Sequence, residues 1–367
     1  MRVTVVIAAL TAICCYGIDV QLKLVSRCSY VEISHPRGIT VQDASGNSNK
    51  KEKIRCSRTD SSAAVMMFPG DEAVPMTVRT ERSCRTYFGS ISVAVSNRTL
   101  YVNNKISEER YLSSVVGSEM GHASREALRA QAIASRTLIA YIEQHSDERS
   151  LGELDGEHQV YGGAITDTPA SRSAVADTAG MIMTYNGRLF YPFMHSTSCG
   201  VVFPPSTALG LSGDDYPAHI NPFPDDVHGE PLSGRSPYFA WTRQVPYASL
   251  KSVFNLPADA VAVTSAVHRF GYVTDFFIID RTGAQHTVPG YRFRSLLERS
   301  GIEGVRSVFC SVSNTRAVVV ISGRGFGHLA GMPQWSAKRL AEMGFSYREI
   351  LERYYPGAVI TAQRGIR

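Results

Sequence analysis

Two stretches near the N-terminus, Gln21-Leu-Lys-Leu-Val25 and Tyr30-Val-Glu-Ile33, alternate apolar and polar residues with the period of a half-buried strand. Asp43 to Lys53 is rich in Ser, Gly, Asn and Lys and reads as a polar loop. Alternation resumes in Tyr87-Phe-Gly-Ser-Ile-Ser-Val-Ala-Val95, breaks at Ser96-Asn-Arg98 and returns in Thr99-Leu-Tyr-Val102, the pattern of a hairpin. The period then changes. Leu112, Val115, Val116 and Glu119 recur at three- and four-residue spacing and share one helix face. A second helix is expected from Ser124, a suitable N-cap, to about Gln144, with Leu128, Ala132, Ser135, Ile139 and Ile142 as its inward stripe. Arg125 and Arg129 read as its solvated face.

Downstream, a short helix is expected near Ser171 to Thr178. A hairpin follows from Met181 to Met194, turning at Asn186-Gly187. Phe203 to Pro237 is rich in Pro, Gly and Asp and reads as a long loop. Strands are expected at Val261–His268 and Thr274–Ile279, and helices at Tyr291–Ser300, Pro333–Met343 and Ser346–Tyr355. The pattern predicts an α+β protein. Its parts are a β-rich region 18–95, a mixed core 96–235 around the Ala-rich helix, an inserted mixed segment 236–320 and a C-terminal return 321–367.

Length and charge narrow the class. The 367 residues can bury more than one core, and a net charge of +5 is mild attraction for an acidic polymer or envelope surface. No basic run is interleaved with aromatics, so nucleic acid is not an expected partner. Arg2, the apolar run Val3 to Cys15, and small residues at Cys15 and Gly17 predict a signal peptide over 1–17, with an exported product in the periplasm or cell envelope. Lipidation at Cys14 or Cys15 is the alternative, disfavoured by Ile13 before Cys14. No other stretch has the roughly 18 apolar residues of a membrane span. After cleavage five cysteines remain, and a bridge among Cys28, Cys56 and Cys84 is expected without a defined pairing.

Three places could carry chemistry. Glu119 ends an apolar helix face, where a carboxyl resists ionisation and can donate a proton near neutral pH. An acid that turns to solvent has the same spacing. Gly323-Arg-Gly-Phe-Gly-His-Leu-Ala-Gly331 lacks the Lys-Ser/Thr of a phosphate loop. It reads as a tight backbone that admits a polymer, with His328 and Gln334 as donors, or as a plain structural turn. His195 and Cys199 could ligate zinc, but no second pair at ligand spacing accompanies them. Signatures of serine hydrolases and zincins are absent.

The ordered set of Tyr111-Leu-Ser-Ser-Val-Val-Gly-Ser-Glu-Met120, Glu126-Ala-Leu-Arg-Ala-Gln-Ala-Ile-Ala-Ser-Arg-Thr137, Gln159-Val-Tyr161, Thr184-Tyr-Asn-Gly187, His195-Ser-Thr-Ser198, Gly323-Arg-Gly-Phe-Gly-His328, Gly331-Met-Pro-Gln334 and Tyr354-Tyr-Pro-Gly357 resembles the SpoIID/LytB family. The resemblance spans roughly Tyr87 to Ile360 and implies a cleft between lobes, with the C-terminal return bringing His328 toward Glu119. It implies a lytic transglycosylase acting on peptidoglycan glycan strands, preferably peptide-free, with Glu119 as catalytic residue. It maps Arg136, Gln159, Tyr161, His195, Ser196, His328 and Gln334 onto substrate binding. No cofactor is required for that reaction, although some members bind a metal beside the His195 segment, which would place zinc at His195 and Cys199. The LytB side of the family implies a different role, a non-catalytic glycan binder that enhances an N-acetylmuramoyl-L-alanine amidase. The sequence departs from the family pattern at Gly121 (usually Pro), Cys199 (Gly), Leu329 (Gly) and Pro333 (Ser).

Overall fold

The structure is a computed structural model. It describes residues 17–22, 28–60, 64–145, 159–211, 216–217, 219 and 221–363. The expected signal segment, including Cys14 and Cys15, lies outside these residues except for Gly17. The protein is α+β and divides into two compact units, one of residues 1–183 with 360–367 and one of residues 184–359. That division cuts through the expected 96–235 segment. None of the described helices is long and apolar enough to cross a membrane.

The first unit opens with an eight-stranded sheet. Its strands are β1 (Gly17–Gln21), β2 (Tyr30–Asp43), β3 (Ser48–Ser57), β4 (Ala64–Pro69), β5 (Met76–Arg79), β6 (Cys84–Tyr87), β7 (Ser90–Ser96) and β8 (Thr99–Ser107). The order is β1-β8-β7-β4-β2-β5-β6, with β3 paired to β2. The sheet therefore extends past residue 95 to Ser107. β7 and β8 form the expected hairpin, with Asn97 and Arg98 both at positive φ in the turn. The polar stretch read as a loop is instead β3, whose residues Ser48–Lys53 are exposed. Backbone pairing with β2 makes it a strand, and its lysines keep the rim polar. No disulfide joins Cys28, Cys56 and Cys84 to one another, contrary to expectation.

β8 runs directly into helix α1 (Glu108–Met120), followed by α2 (Arg125–His145) and α3 (Pro169–Asp177). The three helices pack on one another. Leu112, Val115 and Val116 on α1, and Leu128, Ala132, Ser135 and Ile139 on α2, are buried as their spacing requires. Each buried Leu or Val of this face contributes about 1.5–3 kcal/mol of transfer free energy. Thr168 and Ser171 cap α3 reciprocally. Arg129 is not simply solvated: it pairs with Glu126 and, at 2.8 Å, with Asp177 of α3, where Arg125 also pairs. The strand β9 (Met181–Thr184) pairs with the closing strand Val359–Ala362 rather than with residues 189–194, so the expected hairpin keeps only its Asn186-Gly187 turn.

In the second unit, residues 240–321 form the inserted segment around its own apolar core. A sheet of Ala240–Pro246, Val318–Arg324 and Cys310–Asn314 and another of Ala260–Val267, Val273–Asp280 and Gln285–Pro289 enclose Leu250, Val263, Phe276, Phe293, Leu297 and Ile321. Phe293 stacks on Phe276 at 4.0 Å and on Phe254 at 5.0 Å. Helices Gln334–Glu342 and Tyr347–Tyr354 close the unit, the second with the capping box Ser346/Glu349.

Candidate functional site

Glu119 sits in the last turn of α1 and is half-buried. Its Oε1 accepts the Val160 backbone N–H at 2.7 Å. The rest of the Tyr111–Met120 motif explains how Val160 comes to be there. Ser113 Oγ donates to Asp167 at 2.5 Å, and Ser114 Oγ donates to the Gly163 carbonyl at 2.9 Å and meets Thr166 Oγ1 at 2.9 Å. Gly117 must be glycine, because a Cβ there would collide with the Thr166 carbonyl. Hydroxyls and a missing side chain on α1 thus dock the 163–171 turn, and the residues just before that turn run past Glu119.

The Gln159-Val-Tyr161 motif works by alternation. Gln159 and Tyr161 point inward, at 2% and 5% exposure, and Val160 points out at 53%. Tyr161 donates to Asn104 Oδ1 at 2.6 Å and packs on Tyr87 and Tyr111. Burial pushes its hydroxyl pKa up. Gln159 donates from Nε2 to the Ser135 carbonyl at 3.3 Å. Neither side chain is presented to a glycan, so their expected direct role gives way to a structural one: they hold the Val160 N–H against Glu119.

Arg136 is corrected in the same way. It is fully buried, and its guanidinium donates to the carbonyls of Thr178, Met181 and Val175 and pairs with Glu108 and Glu109. It ties α2 to the start of α1 and the end of α3. Asp167 is also internal, held by Ser113, Arg110 and Arg172.

The second unit gathers His195, Ser196, His328 and Gln334. Met194–His195 pairs in parallel with Met332–Pro333, and Thr197 bridges Phe326. The glycine-rich turn is tight because it lies against this segment, not to admit a polymer. A Cβ on Gly327 would stand 2.7 Å from His195 Cβ, and one on Gly331 would collide with the Phe193 carbonyl. Leu329, where the family pattern has Gly, holds φ +69° while fully buried. Its burial offsets a left-handed backbone that costs a non-glycine residue roughly 1–2 kcal/mol.

His195 is buried, with Nδ1 2.9 Å from the Ala330 carbonyl. A carbonyl only accepts, so Nδ1 carries the proton and Nε2 is the bare nitrogen, buried without a hydrogen-bond partner. Burial, then repulsion from His328, pulls its pKa down to about 3. His328 accepts the Ala330 N–H on Nδ1 at 3.1 Å. Its pKa falls to about 4, through burial first and Arg294 second. The two rings lie 5.6 Å apart. Both are neutral at pH 7. Ser196 is half-buried, with Oγ 3.2 Å from Thr197 Oγ1, and Gln334 starts the helix Gln334–Glu342 at 8% exposure.

These residues do not fit a zinc site. Among the described residues no cluster of three His, Cys, Asp or Glu exists. The Cys199 thiol is buried, donates to the Val201 carbonyl at 3.4 Å and is pushed up to about 12. Zinc takes three or four protein ligands, and no third such group stands with His195 and Cys199 among the described residues.

Sequence patterns missed Asp225. It is fully buried and accepts from Ser198 Oγ, from Ser336 Oγ at 2.5 Å and from Tyr354 OH at 2.8 Å. Burial raises its pKa against the pull of those hydroxyls. One acid thereby joins the His195–Gly200 segment to both closing helices, from inside a stretch whose composition signals only a loop.

The family model described as SpoIID, stage II sporulation protein, matches residues 96–185, the segment containing α1, Glu119 and Val160. Stage II sporulation protein D of Bacillus amyloliquefaciens is 25% identical over 324 residues, 83% of this chain and 89% of that protein. Its Bacillus subtilis counterpart is 26% identical over 271 residues, 69% of this chain and 74% of that protein. Residues 96–185 match the SpoIID family's model, and along most of its length the chain is similar to stage II sporulation protein D. A Bacillus subtilis protein named amidase enhancer is 27% identical over 293 residues, 68% of this chain but 40% of that protein.

Proposed function

We propose that this SpoIID-family protein acts on the cell wall as an exported lytic transglycosylase, cleaving peptide-free peptidoglycan glycan strands to 1,6-anhydromuramyl ends. The observation that carries the reading is Glu119: a half-buried carboxyl whose rotamer is fixed by the Val160 N–H at 2.7 Å, on a helix whose Ser113 and Ser114 dock the turn beyond Val160. Hydrolysis with ordinary stereochemical control needs two carboxyls, one as acid and one as base or nucleophile. An intramolecular reaction needs one. In its acid form Glu119 protonates the leaving glycosidic oxygen as the C1–O bond breaks. Its carboxylate then takes the proton from the sugar's own 6-hydroxyl as that oxygen bonds to C1, closing the anhydro ring and restoring the acid. Such general acid–base catalysis contributes about 10²–10⁴-fold. Glu119→Gln tests the reading: anhydro-product release stops while glycan binding persists.

The similarity to the protein named amidase enhancer favours a second reading, a glycan binder that stimulates an N-acetylmuramoyl-L-alanine amidase. That reading gains if wild-type protein yields no anhydro ends yet accelerates a purified amidase on sacculi, and if Glu119→Gln accelerates it equally.

A further inference from the structure

A cavity of about 620 Å³, open to solvent, lies in the second unit on the sheet of the inserted segment and plays no part in the chemistry above. Two aromatic rings are seated there by glycines. Trp241 lies over Gly323, where any Cβ would strike the indole. The Phe309 ring lies over Gly271, where a Cβ would stand 2.9 Å from Cε2. Trp241 Nε1–H donates to the Gly325 carbonyl at 2.9 Å, which fixes the plane of the indole. Hydroxyls of Thr242 and Ser322, 3.0 Å apart, and of Ser311 add polar lining.

Arg324 completes the wall. Its backbone is anchored on both sides: its N–H donates to the Phe309 carbonyl at 3.0 Å, and its carbonyl accepts Ser307 Oγ at 2.6 Å. Its side chain is exposed, lies 6.0 Å from the Phe239 ring, and makes no ion pair with a carboxylate among the described residues. The first two residues of the Gly323–His328 motif therefore serve this cavity, and only the last part serves the His195 segment.

Aromatic faces suit the C–H faces of a sugar, hydroxyls suit its hydroxyl and amide groups, and an unpaired guanidinium suits a carboxylate. We propose that this cavity is a subsite for an acidic amino sugar of the glycan strand, with Trp241 and Phe309 against the ring and Arg324 on the free lactyl carboxylate. A stem peptide converts that carboxylate to an amide and removes the charge, so Arg324 selects peptide-free strands. The inference rests on the glycan reading above and names a specificity determinant for it.

The test is equilibrium binding of the purified full chain to peptide-free glycan strands, with lactyl carboxylates either free or converted to methylamides. Wild type prefers the free acid by roughly five- to tenfold, the scale of one charge-assisted contact. Arg324→Gln binds both forms alike, and Arg324→Lys regains part of the preference. Trp241→Ala weakens both forms together. If wild type binds strands and releases anhydro ends but Arg324→Gln keeps the preference, the subsite is wrong and the glycan reading stands. If wild type binds neither form, the glycan reading falls and takes the subsite with it.

Discussion

In the first unit the motif hydroxyls turn inward: Ser113 and Ser114 hold the 163–171 turn, Gln159 and Tyr161 are internal, and Glu119 is left half-open. In the second unit the motif brings titratable groups inside instead. His195, Asp225 and Cys199 are buried, and both imidazoles are held neutral. The same density of motif residues thus serves two ends, a rigid mount for one acid and an uncharged, hydrogen-bonding wall. A motif residue's type does not reveal which end it serves; its burial and partners do.

The sharpest way to break the contrast is at Arg136. If it is a structural cation, Arg136→Ala strands Glu108 and the carbonyls it serves and costs about 3–5 kcal/mol, as for other broken buried pairs. Chemical denaturation measures it. A stable variant with weakened glycan binding alone would return Arg136 to the substrate side.

Leu329→Gly probes the second unit. Removing the left-handed strain gains roughly 1–2 kcal/mol, but emptying a fully buried leucine site costs about 3–5. Burial wins, so the variant loses about 1–4 kcal/mol despite restoring the family's glycine. A stabilised variant would mean that the surrounding residues close the gap.

The neutral imidazoles predict a pH dependence. Both histidines titrate lower in the fold, at about 3 and about 4, than the unfolded value of 6.5. Between pH 6.5 and about 4 the unfolded chain binds protons that the native chain does not, so stability falls as pH falls. The slope is about 1.4 kcal/mol per pH unit for each ring. Unfolding curves from pH 7 to 5 check it, and His328→Gln should halve the slope. The smallest effect is Ser114→Ala, about 1 kcal/mol for the hydroxyl that ties α1 to Gly163 and Thr166, with a parallel loss of activity as Val160 drifts from Glu119.

Much of the fold was legible. Apolar spacing located α1 and α2, and alternation with a turn located the β7–β8 hairpin, because those elements bury one face of a local pattern. β3 was not legible, since its exposed lysines carry no apolar face and pairing with β2 alone makes it a strand. Spacing alone reads Glu119 as an acid turned to solvent; only the resemblance of the ordered motifs singles it out. Asp225 was not, because its partners Ser198, Ser336 and Tyr354 are scattered along the chain. Arg136, Gln159 and Tyr161 were legible as motif but not as interior, since residue type alone does not reveal burial.

The central claim is that a single carboxyl, Glu119, closes an anhydro ring. Mass spectrometry of products released from peptide-free glycan strands tests it most directly. Wild type should release fragments one water lighter than hydrolysis products, and Glu119→Gln should release none while still binding the strands. Fragments carrying the full water, or anhydro products undiminished in Glu119→Gln, would contradict it.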